Sequence, residues 1–516
     1  MLKKITKKSN LIFILLVVIL TVPAVIGLLH LGFPATDDGN WMVIRFSAFY
    51  ESLRAGQFPV RFLSRLNFNY GYPVPDFLYP LFMYIGVPIH VLGFNFFDTI
   101  KIILILSLFS SSLFCFLWLR KIFDNISSLV GSLFYVFFPY HLFDVYVRGS
   151  VGEVLSLAIL PFVLWQIERK NFILTSIGIS LLVVAHNTLA FLFLPLIFLY
   201  GILRDRKILK FNILTLFFGL CISSFFWIPA LYDSKFTVFG KTQVSDFSSY
   251  FINNNFSLLG LIFVFLVVES IFYLIRKKDK FFLILFIATL ILAFLTFSQS
   301  QIFWKVLPFT NLIQFPFRII SLIIPISAFM LSYLLKKEEV TKKYLLTVIY
   351  LIIILISSWY FLFPKTYQFY DDTFYSTNQD STTVKNEYMP VWVKKLSSSQ
   401  APVKVVNLTG KENIAINQIN ANRINFSTNL DASRSIQINT IYFPGWTALV
   451  NGKKVNINYN NDYGLIRLIL PKGENNVLVA FSETPVRIFA DLLSIIGLMF
   501  VFGFSFLNRK YKFKFL

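Results

Sequence analysis

The sequence predicts a multi-pass α-helical membrane protein with a C-terminal all-β domain. Hydrophobic residues make up 56% of the 516 residues, and the mean hydropathy is +0.68. Apolar runs of about 20 residues, the length that a helix needs to cross a bilayer, recur along most of the chain. Between residues 364 and 484 they give way to short alternating segments, which are typical of β-strands.

Apolar segments in residues 1–363 predict a transmembrane bundle, and residues 485–516 add one last helix with a basic cytoplasmic tail that includes Lys512 and Lys514. The first segment follows four lysines and predicts an uncleaved signal-anchor helix. The bundle has about 12 helices in total, predicted at approximately residues 11–30, 98–119, 127–143, 151–167, 171–186, 188–203, 210–231, 256–275, 281–298, 317–335, 343–362 and 486–507.

Basic residues predict how the bundle is oriented. Alternate connections are rich in lysine and arginine, and the positive-inside rule assigns them, together with both termini, to the cytoplasm. The opposite connections carry acids instead. The net charge of +21 therefore reports membrane orientation, and nucleic acid is not an expected partner. The basic connections contain Arg120-Lys121, Arg169-Lys170, Arg204 to Lys210, Arg276 to Lys280 and Lys336 to Lys343.

A long first outer loop, residues 31–97, is predicted to lie along the membrane surface. Met42, Phe46, Phe49 and Leu53 recur at helical spacing, which predicts an interfacial amphipathic helix. The apolar run over residues 77–94 contains prolines and a glycine, and it predicts further surface helices. If this run crossed the membrane, every later basic connection would move to the outer side.

Residues 364–484 predict a sandwich-like all-β domain on the outer face, preceded by an irregular lead-in. Asn451-Gly452 and Pro471-Lys472-Gly473 are hairpin turn signals between alternating runs. Trp446 is interpreted as a core residue of this domain and not as a platform for a sugar.

Two adjacent acids, Asp37 and Asp38, stand out in the first outer loop. A single Asp before a helix most often caps it. A doublet is more than one cap needs, and a carboxylate beside the membrane can also take a proton from a hydroxyl group. These two residues are the candidate catalytic acids, and the capping alternative stays open.

Further candidates lie at the outer ends of predicted helices, where charge is costly unless it is wet, paired or functional. Each also has a structural interpretation: an i, i+4 ion pair for Asp144 and Arg148, a helix-start acid for Glu153, or a snorkelling anchor for Arg318. The candidate substrate-binding residues are Asp144, Arg148, Glu153, His186, Asn187, Arg318, Arg61 and Tyr72.

Several common catalytic motifs are absent from the sequence. It contains no glycine-rich phosphate loop, no His-Glu-x-x-His pair, no Gly-x-Ser-x-Gly elbow and no dinucleotide fingerprint. The cytoplasmic connections are too short to form a nucleotide-binding domain. An activated donor must therefore be reached from the outer face or from the bilayer.

The order of these features resembles the GT-C superfamily of membrane glycosyltransferases. More narrowly, the chain is similar to the bacterial YfhO-like family and to membrane proteins labelled "6-pyruvoyl-tetrahydropterin synthase-related". The residues that carry the likeness are Asp37-Asp38, Gly56 to Pro59 with Arg61, Tyr70-Gly71-Tyr72-Pro73, Arg148 to Glu153, His186-Asn187, Tyr442 to Trp446, Asn451-Gly452-Lys453 and Leu470 to Gly473.

The resemblance implies an inverting glycosyltransferase of the bacterial plasma membrane. It would move a sugar from a polyprenyl-phosphate donor to a glycan, lipid or protein acceptor at the extracytoplasmic face. Asp37 or Asp38 matches the first-loop acid, which is the candidate general base. Asp144 matches the position of a second acid, and Arg148 and Arg318 are candidates for the donor phosphate.

The resemblance leaves a divalent cation, Mg²⁺ or Mn²⁺, open, with Asp38 and Asp144 as its ligands if one is bound. The known branches carry an acid-x-acid pair where Asp144 stands alone. Pterin synthase activity is not expected, because it needs three zinc-binding histidines in a soluble fold. The histidines of this chain fall on separate membrane segments.

Two alternatives come from other classes of protein. A transporter or flippase of an envelope lipid predicts acids near the bilayer midplane and internal pseudo-symmetry, and neither is evident in the sequence. A non-catalytic assembly factor predicts that the acid doublet can be replaced without effect.

Overall fold

A computed structural model describes residues 2–204, 206–242, 247–254, 256–306 and 310–511. The predicted tail residues Lys512 and Lys514 lie outside this range. The helices are α1 (Leu2–Thr21), α2 (Ile26–Leu29), α3 (Gly39–Arg54), α4 (Val74–Phe77), α5 (Leu81–Val91), α6 (Phe96–Leu119), α7 (Asn125–Val136), α8 (Pro139–Phe143), α9 (Val151–Glu168), α10 (Phe172–Ala185), α11 (Asn187–Arg204), α12 (Leu209–Ile222), α13 (Ser224–Asp233), α14 (Gly260–Lys277), α15 (Lys280–Phe294), α16 (Gln301–Val306), α17 (Thr310–Ile313), α18 (Ile320–Lys337), α19 (Val340–Ser358), α20 (Asp372–Thr377) and α21 (Pro485–Tyr511).

The helical domain has the composition of a membrane protein. Among the described residues, six helices are long and apolar enough to cross a bilayer, and up to nine spans result if each of three bent pairs counts as one. The bends are 41° between α7 and α8, 67° between α12 and α13, and 90° after α15. Length and composition thus establish a helical membrane fold, while the predicted number of about 12 helices is not established.

The first of these bends has a local cause in the sequence. Phe138 has an extended backbone (φ −58°, ψ 130°) and Pro139 begins α8. Proline disfavours the helical conformation in the residue before it, so a helix ends there and a new one begins in a different direction.

The basic connections come together at one end of the bundle. Lys336 Nζ, at the end of α18, donates to the carbonyl oxygen of Ile122, which follows α6, at 2.8 Å. Lys343 Nζ lies 3.1 Å from Asp124 Oδ2, and Asp124 caps the start of α7. The connection between α6 and α7 therefore lies next to the connection between α18 and α19.

Helix α3 corrects one prediction. Its apolar stripe does not lie in the membrane surface, because Met42, Phe46 and Phe49 are buried inside the protein. Phe46 packs edge-on against Phe96 at 5.7 Å, and Phe49 packs against Tyr84 at 4.8 Å. The same spacing fits both environments, since an apolar stripe on a helix does not reveal whether lipid or protein covers it.

The C-terminal β region consists of two sheets over one core. The five-stranded sheet has the order β4-β5-β10-β7-β8, and the three-stranded sheet has the order β3-β6-β9. A separate antiparallel pair, β1 and β2, joins the first outer loop to the lead-in. The strands are β1 (Phe33–Pro34), β2 (Tyr367–Gln368), β3 (Val405–Asn407), β4 (Ile414–Asn420), β5 (Arg423–Leu430), β6 (Arg434–Ile441), β7 (Trp446–Val450), β8 (Lys453–Val455), β9 (Leu465–Leu470) and β10 (Gly473–Phe481).

The first outer loop supplies part of this β core. Phe62 is fully buried and packs edge-on against Trp446, with ring centroids 5.5 Å apart. Trp446 itself is only 4% exposed, so it is a core residue. Gly71 lies under Phe62 with φ +90°, and a β-carbon there would overlap the Phe62 ring. This glycine provides both the positive φ and the space for the ring.

A buried ion network joins the loop, the membrane domain and the β region; we call it the junction network. Arg487, on α21, is fully buried and contacts Asp233 at 2.9 Å and Asp76 at 3.3 Å. Arg61 contacts the same Asp76 at 3.6 Å. It also contacts Asp491, on α21, at 3.1 Å and Glu483, just before α21, at 3.2 Å.

We expect the substitution Arg487→Met to destabilise the protein strongly. It leaves Asp76 and Asp233 buried without their main counter-charge, and breaking a buried ion pair costs about 3–5 kcal/mol. Thermal unfolding of the detergent-solubilised protein measures the effect as a large drop in Tm. The matched control is Arg423→Met, since Arg423 is exposed on β5 and should leave Tm nearly unchanged. Equal Tm values for the two variants would contradict the prediction.

Candidate active site

The acid doublet is fixed by backbone hydrogen bonds on both sides. The N–H groups of Asp37 and Asp38 donate to the carbonyl oxygens of Val147 and Arg148 at 2.9 and 2.8 Å. On the other side, the adjoining strand β1 pairs with β2. Gly149 makes the close approach possible, because it has φ +67° and a β-carbon there would overlap the Thr36 hydroxyl.

The side chain of Asp38 does not cap helix α3. Asp38 occupies the N-cap position of α3, but its side chain makes no capping hydrogen bond. The Thr36 hydroxyl accepts from the N–H of Gly39 at 3.1 Å instead. Within the described chain, neither carboxylate of the doublet forms a hydrogen bond or an ion pair. Both are therefore free to act on a ligand.

The surroundings of Asp37 raise the pKa of its carboxyl group. Partial burial raises the pKa of the Asp37 carboxyl above its ordinary value, and the neighbouring Asp38 charge raises it further. The positive charges of Arg148 and Lys365 oppose this shift. The carboxyl keeps one side open to solvent, so it can still exchange protons.

Beneath the doublet lies a buried ion cluster centred on Glu153, in the first turn of α9; we call it the Glu153 cluster. The Oε1 atom accepts from Arg148 Nη1 and from Arg318 Nε, the latter at 2.9 Å. The Oε2 atom accepts from the Tyr140 hydroxyl at 3.0 Å. His186 Nε2 lies 3.8 Å from Oε1. The carboxylate thus connects four segments of the membrane domain.

Arg148 is held between two acids. It lies at the end of a π-helical turn, Asp144–Arg148, and its Nη1 donates to Asp144 Oδ1 at 3.2 Å as well as to Glu153. Single π-helical turns within helices occur frequently at functional sites. The second oxygen of Asp144, Oδ2, is buried and has no hydrogen-bond partner. The expected i, i+4 pair is therefore present as one part of a larger network.

Arg318 approaches Glu153 from the start of α18. Its Nη1 donates to Gln314 Oε1 at 2.7 Å and to the carbonyl oxygen of Ile313 at 3.0 Å. The guanidinium stacks over the Phe315 ring at 4.6 Å. It is 5% exposed, so this arginine points into the protein and does not snorkel toward a lipid headgroup.

Tyr79, in the first outer loop, lies between the doublet and the Glu153 cluster. Its ring is 4.6 Å from that of His186, and a β-carbon on Gly152 would overlap it. Burial raises the pKa of Tyr79 to about 12, and the charges of Asp38 and Glu153 add to this effect. Its phenol therefore stays protonated at neutral pH, and its ring contacts His186 at the edge of the Glu153 cluster.

Five of the predicted binding residues come together in the cluster, and three do not. Asn187 donates to the carbonyl oxygen of Phe77 at 2.9 Å and holds the loop against α11. Arg61 belongs to the junction network, and Tyr72 is buried with its hydroxyl 3.0 Å from that of Thr383. The structure gives these three residues structural contacts. The five that assemble are Asp144, Arg148, Glu153, His186 and Arg318.

The sequence analysis did not single out Tyr79, Tyr140 or Gln314. Each is an uncharged residue among many aromatic and polar neighbours, and none belongs to a spaced motif. Tyr140 and Tyr79 stand next to prolines, but that position alone does not indicate a site.

No ready metal site is formed by these acids. Among the residues that the structure describes, no three side chains of His, Cys, Asp or Glu are grouped so that they could hold a metal ion. Asp144 is bound to Arg148 instead. The divalent cation with Asp38 and Asp144 as ligands stays a prediction, and no step below is assigned to it.

Fold and site together define a polytopic membrane protein with an outer acid doublet above a buried ion cluster. The profile of the family described as "6-pyruvoyl-tetrahydropterin synthase related domain; membrane protein" matches residues 77–363, more than half of the chain. The chain belongs to this family.

Two solved structures are similar in part. The archaeal oligosaccharyltransferase AglB from Archaeoglobus fulgidus, in complex with an inhibitory peptide and a dolichol-phosphate, has 11% identity and a TM-score of 0.47 over 73% of this chain and 56% of that one. The arabinofuranosyltransferase AftD from Mycobacteria, mutant R1389S, has 16% identity and a TM-score of 0.45 over 70% of this chain and 28% of that one.

These similarities are too low to establish a shared fold or activity. The chain spans little more than half the length of AglB and less than a third of AftD. No curated protein matches the sequence.

We expect Glu153→Gln to destabilise the protein and to disorder the cluster. The amide keeps the volume but removes the charge that two guanidiniums share, and an unbalanced buried ion costs about 3–5 kcal/mol. Thermal unfolding in detergent measures the loss. The control is Glu51→Gln, whose half-exposed pair with Arg65 is worth at most about 1 kcal/mol. A Glu153→Gln protein as stable as this control would show that the cluster is not an interdependent unit.

Proposed function

We propose that the chain is a membrane glycosyltransferase. It moves a sugar from a polyprenyl-phosphate carrier to an acceptor hydroxyl at the extracytoplasmic face of the bacterial plasma membrane. The observation that carries the proposal is the position of Asp37 and Asp38. Neither carboxylate has a partner in the described chain. The backbone N–H groups of both residues donate to the turn that ends at Arg148, whose buried guanidinium is hydrogen-bonded to Glu153.

One carboxylate of the doublet acts as the general base. It takes the proton of the acceptor hydroxyl as that oxygen attacks the anomeric carbon of the donor sugar. The bond between the anomeric carbon and the phosphate oxygen breaks, and the lipid phosphate leaves with the electron pair. Attack from the side opposite the phosphate inverts the configuration at that carbon. Positioning of the two reactants and proton removal supply the catalysis.

The arginines of the Glu153 cluster keep donors available for the leaving phosphate. Arg148 uses only Nη1 for its two acids, and Arg318 uses Nε and Nη1. The remaining N–H groups form no hydrogen bond with the described residues. Charge-assisted hydrogen bonds from guanidinium to phosphate are strong, and donors already in place need no rearrangement during the reaction.

Replacing the doublet is the direct test of this function. Asp37→Asn and Asp38→Asn keep size and polarity but remove the basic oxygen, and loss of a general base costs about 10²–10⁴-fold in rate. We expect at least one of the two variants to lose turnover of a polyprenyl-phosphate sugar in membrane vesicles by that factor, with Tm unchanged.

Asp431→Asn is the control, because Asp431 is 73% exposed in the β region and should turn over donor normally. If both doublet variants fold and turn over donor at the wild-type rate, the doublet is not the base. In that case a role in membrane assembly without catalysis becomes the better description.

The dependence of turnover on pH tests Asp37 as the base. Activity requires the ionised carboxylate, so the rate falls as pH falls through the pKa of Asp37, which lies above the ordinary value. Lys365→Met removes a positive charge that lowers this pKa, so the fall should begin at a higher pH. Lys365 is exposed, and the substitution should not affect folding.

The measurement is kcat/KM against pH in vesicles. Lys395→Met, which changes an exposed lysine of the lead-in to the β region, is the charge-matched control and should leave the profile in place. An unshifted profile for Lys365→Met would exclude Asp37 as the base and leave Asp38.

A further inference from the structure

Arg45, on α3, is a buried cation without an anionic partner. It is 4% exposed. Its Nε donates to the Thr382 hydroxyl at 3.0 Å, its Nη2 donates to the Thr382 carbonyl oxygen, and its Nη1 points at Met42 Sδ at 3.6 Å. All three acceptors are uncharged, and the described chain places no carboxylate within ion-pair distance of this guanidinium.

The other buried arginines of the described chain are all paired. Arg148 and Arg318 contact Glu153, and Arg61 and Arg487 contact Asp76. An ion buried without a counter-charge is costly, which is why buried arginines are almost always paired or ligand-bound. Among the buried arginines of the described chain, Arg45 is the exception: no carboxylate lies within ion-pair distance of its guanidinium.

The position of Arg45 relates this charge to the doublet. Arg45 follows Asp38 by seven residues, two turns of α3, and the two side chains therefore share a face of the helix. Both act electrostatically on the buried phenol of Tyr79, as does Arg318. An anion bound at Arg45 would thus lie on the same face of α3 as Asp38, two helical turns further along.

A turn of the lead-in covers Arg45. The Tyr72 hydroxyl lies 3.0 Å from that of Thr383 and accepts the N–H of Tyr388 at 2.9 Å, so it joins the two ends of this turn. The same turn presents Thr382 to Arg45. Arg45 is therefore held in place by uncharged groups.

One acid belongs to this turn. Glu387 has a buried Oε2 atom without a hydrogen-bond partner, and it is not within 4.0 Å of Arg45. Arg45 and Glu387 act with opposite signs on the pKa of Tyr388, which burial raises. A long-range balance between Arg45 and Glu387 is thus the structural alternative to a ligand.

We propose that Arg45 binds the phosphate group of the lipid-linked donor and supplies the net positive charge of the phosphate site. In the Glu153 cluster, Arg148 and Arg318 both lie within ion-pair distance of Glu153, and Arg148 also lies within that distance of Asp144, whereas Arg45 has no such partner among the described residues. The cluster contributes hydrogen-bond donors, and Arg45 contributes the unmatched charge. This inference rests on the proposed function and names the group that recognises its donor.

The test measures binding apart from turnover. Full-length protein in lipid nanodiscs is titrated with undecaprenyl phosphate and, separately, with undecaprenol, which lacks the phosphate. We expect Arg45→Met to weaken binding of the phosphate by roughly tenfold or more, since the variant loses the charge-assisted hydrogen bonds of the guanidinium. Binding of the neutral alcohol should not change.

Two variants serve as controls. Arg54→Met removes an exposed arginine from the same helix and should bind the lipid phosphate as the wild type does. Asp431→Asn, which changes an exposed acid of the β region, should also bind it normally. If wild-type protein turns over no sugar donor but Arg45→Met still loses affinity for the lipid phosphate, the proposed function fails and the phosphate site stands.

Three outcomes would overturn the site. The first is equal affinity of wild type and Arg45→Met for undecaprenyl phosphate. The second is competition by inorganic phosphate at the same concentration as the lipid, which would mean a site for free phosphate. The third is recovery of both Tm and lipid binding in the double variant Arg45→Met/Glu387→Gln, which would mean that Arg45 only offsets Glu387.

Discussion

Several segments of the membrane domain depend on one carboxylate. Glu153 accepts hydrogen bonds from Arg148, Arg318 and Tyr140, which belong to separate helical segments, and it lies near His186 at the end of α10. Each of these groups would be expensive to bury alone. The backbone of the Arg148 turn in turn accepts the hydrogen bonds that position the acid doublet. The geometry of the candidate active site therefore depends on the hydrogen bonds and ion pairs that the buried Glu153 carboxylate forms.

The distribution of charge differs among three places in the structure. In the Glu153 cluster, two guanidiniums face two carboxylates. In the junction network, two guanidiniums face four carboxylates, namely Asp76, Asp233, Glu483 and Asp491. At Arg45, one guanidinium faces none. The first two places hold segments together, whereas an unmatched charge beside uncharged hydroxyls is better suited to a ligand that carries the missing charge.

Sequence patterns predicted the fold class and most of the cluster, for definite physical reasons. Membrane helices must be apolar over a fixed length, so the helical bundle can be predicted from the sequence. Charged residues at helix ends near lipid are rare, and this rarity indicated Asp144, Arg148, Glu153 and Arg318. The sequence does not predict which residue pairs with each of these charges. Arg61 and Arg148 look equivalent in the sequence, but only the folded chain shows that Arg61 faces the β region.

The stripe of α3 was misinterpreted for a related reason. Phe46 and Phe49 would repeat at the same spacing whether lipid or α5 and α6 covered them. Uncharged residues of the site, such as Tyr79, are not predicted from the sequence, because only their neighbours in the folded structure distinguish them from other aromatic residues. Such residues become visible only when distant segments meet.

The insertion of Phe62 into the β core also constrains how the chain is threaded through the membrane. A loop and a domain that share a hydrophobic core must occupy the same aqueous compartment, so an even number of crossings separates residue 97 from residue 405, whatever that number is. Ten of the predicted apolar segments fall in this interval, which satisfies the parity. The β core is also completed by Phe62, which precedes its strands by more than 300 positions, so the β region finishes folding on a membrane loop that was synthesised before it.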